Sequence, residues 1–592
     1  MNPYSNDEAL KIETFLGFLK SKSIRKKTVN QIKKRPVRLA VLGSYSTQPL
    51  VDLLEHFMWA YGYETTIQEA SFDSAHTEAF SESSTGLLED IDATVFLPSR
   101  SWMKFDLFQS SREEVESFVE STVRDLLAVV EAISEKSKRP ILLANFMLPK
   151  ERDPGPIRSK VPGSLWNVAK SINQKIGQLC GANIHICDLE YLSCRVGLQN
   201  VWDYKSYFES KQLAHADFMT LVAKEFAYIF DRLKTPQKKV LVTDLDNTLW
   251  GGVIGDDGLR GIELGQNSAA GQAYLELQFF IKKLLGRGVL LTVASKNELS
   301  TAMEAIDKHP EMLLRESDLA AVKINWNPKP DNISLMANEL SLGLDSFVFI
   351  DDNPAETLAV QQFLPEVNCL TLTMDVSEFA SRLSDQNWFE PLSLTDEDKK
   401  RSLQYHQEKE RRVLKNSVTD LKSYLTSLEM VGRFETISDK NLQRVGQLIN
   451  KSNQFNLTTR RKTEAEIHSL EKHSLNFAVR LRDRFGDYGL ISVVLGSMVD
   501  GALEIETWVM SCRVLGRQVE ELILNEVVRR ALENKINSLK GVFIPTAKNA
   551  LVKNLYTKLG FIEEDLREDG QVFSIDLNKY QFRHTEIRIE YE

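Results

Sequence analysis

Short apolar runs alternate with longer stretches of helical spacing over residues 36–236. The runs have the length of strands, and polar or turn-forming residues bound them. Apolar strands separated by helices are typical of a parallel sheet covered by helices, so the pattern predicts an α/β domain over 36–236. The segment 1–35 ahead of it is predicted to be helical and basic. The strand-like runs lie at 38–43, 92–98, 140–146 and 184–192.

The same alternation restarts at residue 239 with the strand-like runs KVLVTDLD, GVLLTVAS and SFVFIDD. A second α/β domain is therefore predicted over 237–390. The highly charged stretch at 391–424 begins like a capping box and is predicted to be a helical connector. Residues 425–592 mix the strand-like runs FAVRLRD, ISVVLG, LEIETWVMS and GVFIPT with helices, which predicts an α+β domain.

Composition and charge narrow the possible functions. Of 592 residues, 42% are hydrophobic and 26% are charged, an ordinary globular composition that excludes wholesale disorder. Lys and Arg number 73 against 83 Asp and Glu, and the net charge of −10 disfavours general nucleic-acid binding, since phosphate contacts need clustered cations. Residues 20–38 carry nine Lys or Arg and no acid; they form either a solvated helix face or a docking patch for an acidic partner.

Neither a targeting signal nor a metal-binding cysteine pair is evident. The chain begins MNPYSNDEAL, without a basic-then-apolar signal region, and no run approaches the roughly 20 apolar residues that span a bilayer. The five cysteines include no CxxC pair, which argues against zinc and against a disulfide scaffold. We therefore expect a cytoplasmic protein with no membrane and no nucleic-acid partner.

Groups suited to phosphate chemistry follow the predicted strands of the central domain. The set is Asp244 and Asp246 after the first strand, Ser295 at the end of LLTVAS, Lys329 in WNPKPDNI, and Asp351 at the end of FVFID. Open parallel sheets build their sites at the carboxyl ends of strands, so these groups are expected to meet. A carboxylate can attack phosphorus when Mg²⁺ offsets the repulsion between anions, while a hydroxyl and an ammonium hold the phosphoryl oxygens. A chance DxD pair and a helix-capping aspartate are the alternative, but they would not supply all these groups in order.

The set resembles the active site of the haloacid dehalogenase superfamily of phosphatases. The resemblance implies a Rossmannoid central domain and Mg²⁺ as cofactor. The segments between the motifs are too short for a large cap domain, and WGGVIGDDG is expected to form a small flap. The resemblance implies that Asp244 is the nucleophile and a metal ligand, and that Asp246 is the acid/base and binds the metal through its main-chain carbonyl. Thr248, Ser295 and Lys329 would bind phosphate. Asp351 would be a metal ligand, and Asp352 would orient Asp351 or act through water.

Two motifs in the C-terminal domain suggest acyl-group chemistry. MSCRVLGRQ, which ends at Gln518, links a strand to the apolar helix VEELILNEVVRRAL, and NALVKNLYTKLGF follows later. Backbone N–H groups at such a turn, together with the helix dipole, bind phosphate oxygens. The motifs resemble the GNAT acyltransferase fold, although Gln518 stands where that family usually has Gly or Ala. The resemblance implies an acyl- or pantetheine-binding site formed by Arg513, Gly516, Arg517, Asn549 and Tyr556.

Cys512 lies at the end of the strand in the first of these motifs. It is either a small core residue, as free cysteines often are, or a reactive thiol. Arg513 and Arg517 are its neighbours in sequence and a helix begins just after it, and both features lower the pKa of a thiol. The other cysteines fall in the first two domains: Cys180, Cys187, Cys194 and Cys369. Cys512 is therefore the candidate acyl-carrying nucleophile.

The N-terminal domain resembles an SGNH hydrolase in the order of a few polar residues. Ser44 follows the first strand, Asn145 ends a later one, and His215 lies near the end of the domain. The first block lacks the usual Gly-Asp-Ser, and no clear Asp-x-x-His block is present. An SGNH-like fold that acts as a docking or scaffold domain is therefore predicted in preference to a working esterase.

Taken together, DLDNTLWGGVIGDDG and MSCRVLGR make the chain similar to the FkbH-like family. That resemblance implies glyceryl transfer: the acyl group of 1,3-bisphosphoglycerate is loaded on a cysteine, the remaining phosphate is removed, and the glyceryl group passes to the phosphopantetheine thiol of an acyl carrier protein. Such thioesters serve polyketide-type biosynthesis. Two alternatives stay open, a Mg²⁺-dependent phosphatase whose GNAT-like domain is structural, and a non-enzymatic scaffold.

Overall fold

The computed structural model describes most of the chain. The described residues are 9–28, 34–81, 86–99, 105–235, 237–393, 407, 411, 414, 420–452, 454–469, 476–499, 501–546, 549–567 and 570–591, without the side chains of 23–28, 451, 464, 465, 469, 512 and 565–567. Much of the predicted basic patch at 20–38 and of the connector at 391–424 lies outside them. The contacts divide the chain into two compact units, Met1–Thr235 with Thr463–Glu466, and the remainder.

Five parallel strands form the sheet of the N-terminal domain, in the order β2-β1-β3-β4-β5. Every residue of β3 and β4 is buried, as expected where helices cover both faces of a parallel sheet. The α/β fold predicted for this domain is thereby confirmed. The strands are β1 (Arg35–Gly43), β2 (Tyr63–Glu69), β3 (Ala93–Leu97), β4 (Ile141–Ala144) and β5 (Ile184–Cys187).

The helices of this domain pack on both faces of the sheet, and each face has one apolar cluster. The longest begins with a capping box, in which the Ser111 hydroxyl accepts the Glu114 N–H and the Glu114 carboxylate accepts the Ser111 N–H. Within the described residues they are α1 (Phe15–Thr28), α2 (Gln48–Ala60), α3 (Ala75–Phe80), α4 (Arg112–Ser137), α5 (Leu165–Leu179), α6 (Leu189–Val196), α7 (Tyr204–Ser210) and α8 (Ala216–Lys234).

Two elements of this domain differ from the sequence prediction. The strand predicted at 184–192 ends at Cys187, because the Asp188 carboxylate accepts the Tyr191 N–H at 3.1 Å and caps α6. The apolar pattern does not predict β2, whose sequence YETTIQE is mostly polar. This strand lies at the edge of the sheet, where exposed positions favour polar side chains.

The central sheet is also parallel and has the order β10-β9-β6-β7-β8. β6 is therefore an inner strand with a neighbour on each side. The strands are β6 (Val240–Thr243), β7 (Leu290–Ser295), β8 (Leu319–Ile324), β9 (Phe347–Asp351) and β10 (Asn368–Thr371), and the helices are α9 (Ile254–Gly261), α10 (Ala269–Gly286), α11 (Leu299–Lys308), α12 (Lys329–Leu340), α13 (Pro354–Phe363) and α14 (Phe379–Ser384).

The C-terminal sheet is mixed and has the order β16-β17-β15-β14-β13-β12-β11-β18. Its elements are β11 (Val431–Glu435), β12 (Phe477–Asp483), β13 (Gly486–Val499), β14 (Ala502–Met510), β15 (Ser538–Phe543), β16 (Ile562–Arg567), β17 (Gly570–Asp576), β18 (Arg588–Tyr591), α15 (Leu421–Ser427), α16 (Leu442–Lys451), α17 (Glu464–Ser469), α18 (Val519–Glu533) and α19 (Leu555–Lys558). The parallel pair β14 and β15 is joined from Leu503 to Ile505 and separates beyond it.

One residue of the connector is buried in the C-terminal domain. The Arg411 guanidinium donates to both carboxylate oxygens of Asp483, through Nε and Nη2, at 2.7 Å each. Its side chain is 1% exposed and that of Asp483 is fully buried. The charged connector is thus more than a solvated helix at this position. Among the described residues, no helix combines the length and apolar character needed to cross a bilayer.

Candidate phosphatase and acyl-transfer sites

The strand order of the central sheet brings the predicted catalytic groups to one edge. β6 lies between β9 and β7, and Thr243 at its end pairs with Ile350. Asp244 follows directly, and its backbone N–H donates to the Ile350 carbonyl at 3.1 Å. Asp351 ends β9 and Ser295 ends β7. Three neighbouring strands thus deliver an aspartate, a second aspartate and a serine to the same place.

Lys329 joins the two aspartates. It begins α12, is 2% exposed, and its ammonium donates to Asp244 Oδ2 at 2.7 Å and also to Asp351 Oδ2. Burial alone would lower the pKa of Lys329, but the two carboxylates outweigh burial and the pKa is raised. The ammonium therefore stays charged. It offsets part of the negative charge that the aspartates bring into the site.

Three carboxylates at this edge are spaced to share a cation. One oxygen each from Asp244, Asp351 and Asp352 lies within 4.8 Å of the others. The pKa of Asp351 is raised to about 6, first by burial and then by the Asp244 carboxylate, while Lys329 opposes the rise. Burial and then Asp244 also raise the pKa of Asp352. Crowded anions of this kind are stabilised by a hard divalent cation with oxygen ligands, so the donor set fits Mg²⁺. Asp352, for which the sequence suggests a supporting role, belongs to this donor set.

Asp246 is held by three N–H donors rather than placed among these carboxylates. Its Oδ1 accepts the Trp250 indole N–H at 2.9 Å and the Ile254 backbone N–H at 3.0 Å. Its Oδ2 accepts the Asn297 amide at 2.8 Å. The carboxylate is therefore fixed in orientation, as an acid/base group requires, and it is tied to the first residue of α9.

The predicted phosphate-binding hydroxyls are both buried near this edge. Ser295 is 2% exposed and its Oγ accepts the Asn297 amide at 3.2 Å. Thr248 is fully buried, and its hydroxyl has no hydrogen-bond partner among the described residues. Asn297 connects Ser295 to Asp246, yet the sequence interpretation does not single it out. A signal was present, because Asn297 lies two residues after a strand-end serine and period-two geometry directs both side chains to one side.

The expected flap is a short segment between β6 and α10. Gly251 pairs with Glu263 as an isolated antiparallel bridge, and the short helix α9, which is kinked at Gly258, lies between them. Gly252 has a φ of +88°, and a Cβ there would lie 2.5 Å from a carboxylate oxygen of Asp257, which itself accepts the Val253 N–H at 2.7 Å. Only glycine fits this turn. The flap is far smaller than a cap domain.

We expect Lys329→Met to lower the free energy of unfolding by about 3 kcal/mol, because it leaves two buried carboxylates without their cation. Added Mg²⁺ should recover more stability in the variant than in the wild type. Urea unfolding with and without Mg²⁺ measures both effects. Lys282→Met is the matched control: Lys282 pairs with Asp318 at 2.7 Å but is 38% exposed, so its loss should cost less than about 1 kcal/mol. Equal losses in the two variants would contradict the charge-balancing role.

The predicted acyl-transfer turn connects β14 to α18. Cys512–Val514 form a short 3₁₀ turn directly after the strand, and Gly516 has a φ of +71°. The backbone of Cys512 is described but its side chain is not, so the reactivity of its thiol stays a sequence prediction. Gln518 is also left-handed, with a φ of +63°, and its side-chain oxygen accepts the Glu586 backbone N–H at 2.9 Å. The residue that departs from the GNAT pattern thus ties the turn to the C-terminal segment.

A carboxylate occupies part of this turn. The Glu520 carboxylate lies near the backbone N–H groups of Glu520 and Gly516, which favour its charged form, and Glu521 follows in the same first turn of α18. Burial raises the pKa of Glu520 from its ordinary 4.5 to about 7. An acidic group therefore lies beside the backbone donors that a phosphate would need at this turn.

The raised pKa of Glu520 predicts that this residue destabilises the folded protein as pH rises. Between the unfolded and folded pKa values of Glu520 the folded protein binds more protons than the unfolded protein, so Glu520 lowers stability as pH rises. Glu520→Gln should therefore gain in melting temperature, relative to wild type, between about pH 5 and about pH 8. Thermal unfolding across that range measures the gain. Glu521→Gln removes the same charge one residue along; an identical gain there would show a general charge effect instead.

The two arginines of the turn pack around Tyr488. Arg517 is 5% exposed, its Cζ lies 5.0 Å from the Tyr488 ring centroid, and its Nη1 lies 4.0 Å from Asp483 Oδ2. Arg513 donates to the Ser511 hydroxyl at 3.2 Å and to the Tyr488 carbonyl at 3.4 Å. These contacts hold the loop after β14 against β12 and β13. Their proposed contact with an acyl or pantetheine group stays a prediction.

Asn549 and Tyr556 are buried in the C-terminal core. The Asn549 amide donates to the Ile544 and Asn456 carbonyls at 2.9 and 3.0 Å. Tyr556 is 1% exposed and lies against Gly541, where a Cβ would come within 2.2 Å of its ring. Burial raises the pKa of Tyr556 well above its ordinary value. Asn549 and Tyr556 therefore both stabilise the fold of the C-terminal domain, and their role in binding stays a prediction.

The SGNH-like residues of the N-terminal domain do not form a triad in the structure. Ser44 follows β1, and its hydroxyl donates to the Asp73 carboxylate. Asn145 follows β4 and donates to Asp188 at 2.8 Å. His215 caps α8 by accepting the backbone N–H of Asp217 at 3.4 Å. Among the described residues, no hydrogen bond joins Ser44 to His215.

Comparison with known proteins finds similarity at the level of solved structures. No family model matches the sequence, and no curated protein matches it. The N-terminal part of a Bacteroides fragilis protein, a phosphatase domain crystallised with Mg, is 27% identical, with a TM-score of 0.54. The match covers 66% of this chain and 100% of that one. That share is larger than the central domain alone.

Two acetyltransferase structures overlay on a smaller part of the chain. One is a GNAT-family protein from Staphylococcus aureus, 11% identical with a TM-score of 0.21, covering 25% of this chain and 99% of that one. The other is the spermidine N-acetyltransferase of Vibrio cholerae in complex with CoA and spermine, 14% identical with a TM-score of 0.21, covering 26% and 97%. The fold of the C-terminal domain is therefore described by its own sheet topology and not by these matches.

Proposed function

We propose that this chain is a Mg²⁺-dependent phosphatase of the haloacid dehalogenase type fused to an acyl-transfer domain. The observation that carries the proposal is the buried lysine that bridges two strand-end aspartates, with a third carboxylate within 4.8 Å. The solved structure of 27% identity, a phosphatase domain crystallised with Mg, supports both the activity and the cofactor. Mg²⁺ is the cofactor, and Asp244, Asp351 and Asp352 would hold it, together with the Asp246 main-chain carbonyl that the family resemblance implies.

The residues of the central site supply the steps of phosphoryl transfer. The Asp244 carboxylate attacks phosphorus and forms an acyl phosphate as the bond to the leaving oxygen breaks, while Asp246 gives that oxygen a proton. Asp246 then takes a proton from water, which attacks the phosphoaspartate and releases phosphate and free Asp244. Lys329 and Ser295 bind the phosphoryl oxygens throughout. Bound Mg²⁺ supplies positive charge that offsets the repulsion between anions.

The acyl-transfer half of the proposal follows the resemblance to the FkbH-like family. The Cys512 thiolate attacks the acyl carbon of 1,3-bisphosphoglycerate, and the bond to the acyl phosphate breaks with phosphate as leaving group. The central site removes the second phosphate from the tethered group. The thiol of a carrier-borne phosphopantetheine then attacks the thioester and regenerates the Cys512 thiol. The product is a glyceryl carrier protein of the kind used in polyketide-type biosynthesis.

Two features support a tethered substrate and a carrier. The segment between β6 and α10 holds one short helix, α9, and is too short for a cap domain, which favours a phosphate carried on a large partner over a small enclosed substrate. The turn before α18 places Gln518 and the Glu520 carboxylate where a CoA pyrophosphate would need free backbone donors. A carrier-borne pantetheine needs no such pyrophosphate site.

A plain phosphatase with a structural C-terminal domain is the second candidate. The burial of Tyr556 and the bonds of Asn549 to backbone carbonyls favour it, because both residues already serve the fold. In that case the chain would release phosphate from 1,3-bisphosphoglycerate without forming a covalent acyl adduct.

Intact-protein mass spectrometry separates the two candidates. The full chain is mixed with 1,3-bisphosphoglycerate and Mg²⁺, with and without a holo acyl carrier protein. The transferase predicts a phosphoglyceryl adduct, then a glyceryl adduct, and finally a glyceryl carrier. Phosphate release with neither adduct nor acylated carrier would leave the plain phosphatase, and no phosphate release at all would refute both.

A further inference from the structure

A cavity of about 300 Å³ lies in the N-terminal domain, at the carboxyl ends of its parallel strands. Tyr45 lines it from the loop after β1, Leu97 ends β3, Ala144 ends β4, and Leu189 begins α6 after β5. Open parallel sheets bind ligands at this end of the strands. The volume is at the lower limit for small-molecule sites, which sets the size of a ligand.

The floor of the cavity is apolar and buried. Leu97 and Leu189 are each 2% exposed, Ala144 is fully buried, and Phe146 and Met147 close the same side at 5% and 7%. Asn145 also lines the cavity, but its amide is committed to Asp188 and to the Leu189 N–H. The floor can therefore accept an apolar body and offers it little hydrogen bonding.

Aromatic side chains and one cation form the mouth. Trp202 is anchored by an indole N–H bond of 2.9 Å to the Leu148 carbonyl, and Tyr207 and Phe208 project from α7. Lys211 follows α7, its carbonyl accepts the Ser46 N–H at 2.9 Å, and its ammonium lies 5.3 Å from the Tyr207 ring centroid. Its backbone is thus fixed to the loop after β1, and the ammonium stands at the rim.

Lys211 is the only charged side chain among the described residues that line the cavity. In the described part of the chain no carboxylate lies within ion-pair distance of its ammonium. An apolar cavity with a single cation at its rim is complementary to a molecule with an apolar body and one negative charge. Neutral molecules would leave the ammonium unused, and cations would be repelled by it.

We propose that this cavity is a binding site for a small organic acid, with the apolar body inside and the carboxylate on Lys211. The site holds its ligand and does not cleave it. Ser44 lies outside the cavity lining and donates to Asp73, and His215 caps α8. This site is independent of the phosphatase and of acyl transfer.

Calorimetric titration of the full chain with straight-chain carboxylates tests the proposal. Affinity should rise about fourfold for each methylene from butyrate to octanoate, because each added group leaves water. Octylammonium has the same chain with the opposite charge and should not bind. Failure of octanoate to bind, or equal binding of octylammonium, overturns the proposal.

Substitutions at the rim provide the second arm. Lys211 is exposed, so its replacement should leave the fold intact. Lys211→Ala should weaken octanoate about tenfold, and Lys211→Glu should abolish octanoate binding and admit octylammonium. Lys170→Ala, a change of an exposed lysine on α5 outside the cavity, is the matched control and should bind octanoate as the wild type does. Unchanged binding by Lys211→Ala overturns the site. Hydrolysis of p-nitrophenyl octanoate that is lost in Ser44→Ala would overturn the holding role.

Discussion

Asp244→Asn is expected to stop phosphate release while the protein stays folded. Asparagine keeps the size of the side chain, but its amide cannot attack phosphorus or hold a cation as a carboxylate does. The loss should exceed about 10³-fold, since removal of a covalent nucleophile leaves only binding and charge stabilisation. Phosphate release from an independent phosphoryl substrate under saturating Mg²⁺ measures the effect, because the first phosphate of 1,3-bisphosphoglycerate leaves in the Cys512 step, and circular dichroism checks the fold.

The control for Asp244→Asn is the same change at Asp385. Asp385 is exposed just after α14 in the same domain and is not a member of the carboxylate cluster. Asp385→Asn should release phosphate at the wild-type rate. Chelation of Mg²⁺ should reduce the wild type to the level of Asp244→Asn. A variant that retains near wild-type activity would move the nucleophile elsewhere.

Cys512→Ala is expected to abolish both the acyl adduct on the protein and the glyceryl carrier. An acyl phosphate is already activated, so a thiolate can displace its phosphate without a strong general acid. The enzyme thioester and the carrier thioester are close in energy, so onward transfer needs only proximity and orientation. Phosphatase activity on an independent phosphoryl substrate should persist, because the phosphatase residues are in the central domain.

Cys194→Ala is the matched control for this substitution. Cys194 is an exposed free cysteine of the N-terminal domain, and its loss should leave adduct and carrier acylation unchanged. Normal carrier acylation by Cys512→Ala would indicate direct transfer from substrate to carrier. An adduct that is lost only in Cys194→Ala would place the acyl group on the N-terminal domain and contradict the proposed role of Cys512.

The sequence predicts that the central groups meet at one edge of the sheet, because strand periodicity and strand ends can be identified from the residues alone. An apolar strand that ends in Asp244 or Asp351 shows where the side chain leaves the sheet, and parallel topology brings such ends together. What the sequence could not provide is the partner of each group. Lys329 donates to two aspartates, Asp352 lies in the carboxylate cluster, and Asn297 donates to Asp246. These contacts all depend on how the loops fold over the strand ends.

The sequence predicts the fold less well where polar residues form a strand or where residues of a binding motif are buried in the core. The polar edge strand β2 carries no apolar alternation. The strand β5 ends at Cys187 because the next residue, Asp188, caps the helix that follows. In the C-terminal domain, the GNAT resemblance implies a binding role for Arg513, Arg517, Asn549 and Tyr556. The structure also uses them for packing and loop support, which motif recognition alone does not reveal.

The pair formed by Arg411 and Asp483 bears on where the C-terminal domain starts. Composition places the border near residue 425, yet the arginine that neutralises a fully buried aspartate comes from well before it. A fragment beginning at 425 would retain Asp483 with its contacts to Tyr488 and the following loop, but without its closest cation. An uncompensated charge inside a core is costly. The smallest self-sufficient piece therefore extends upstream beyond 411, and recombination between relatives would have to exchange that stretch together with the domain it stabilises.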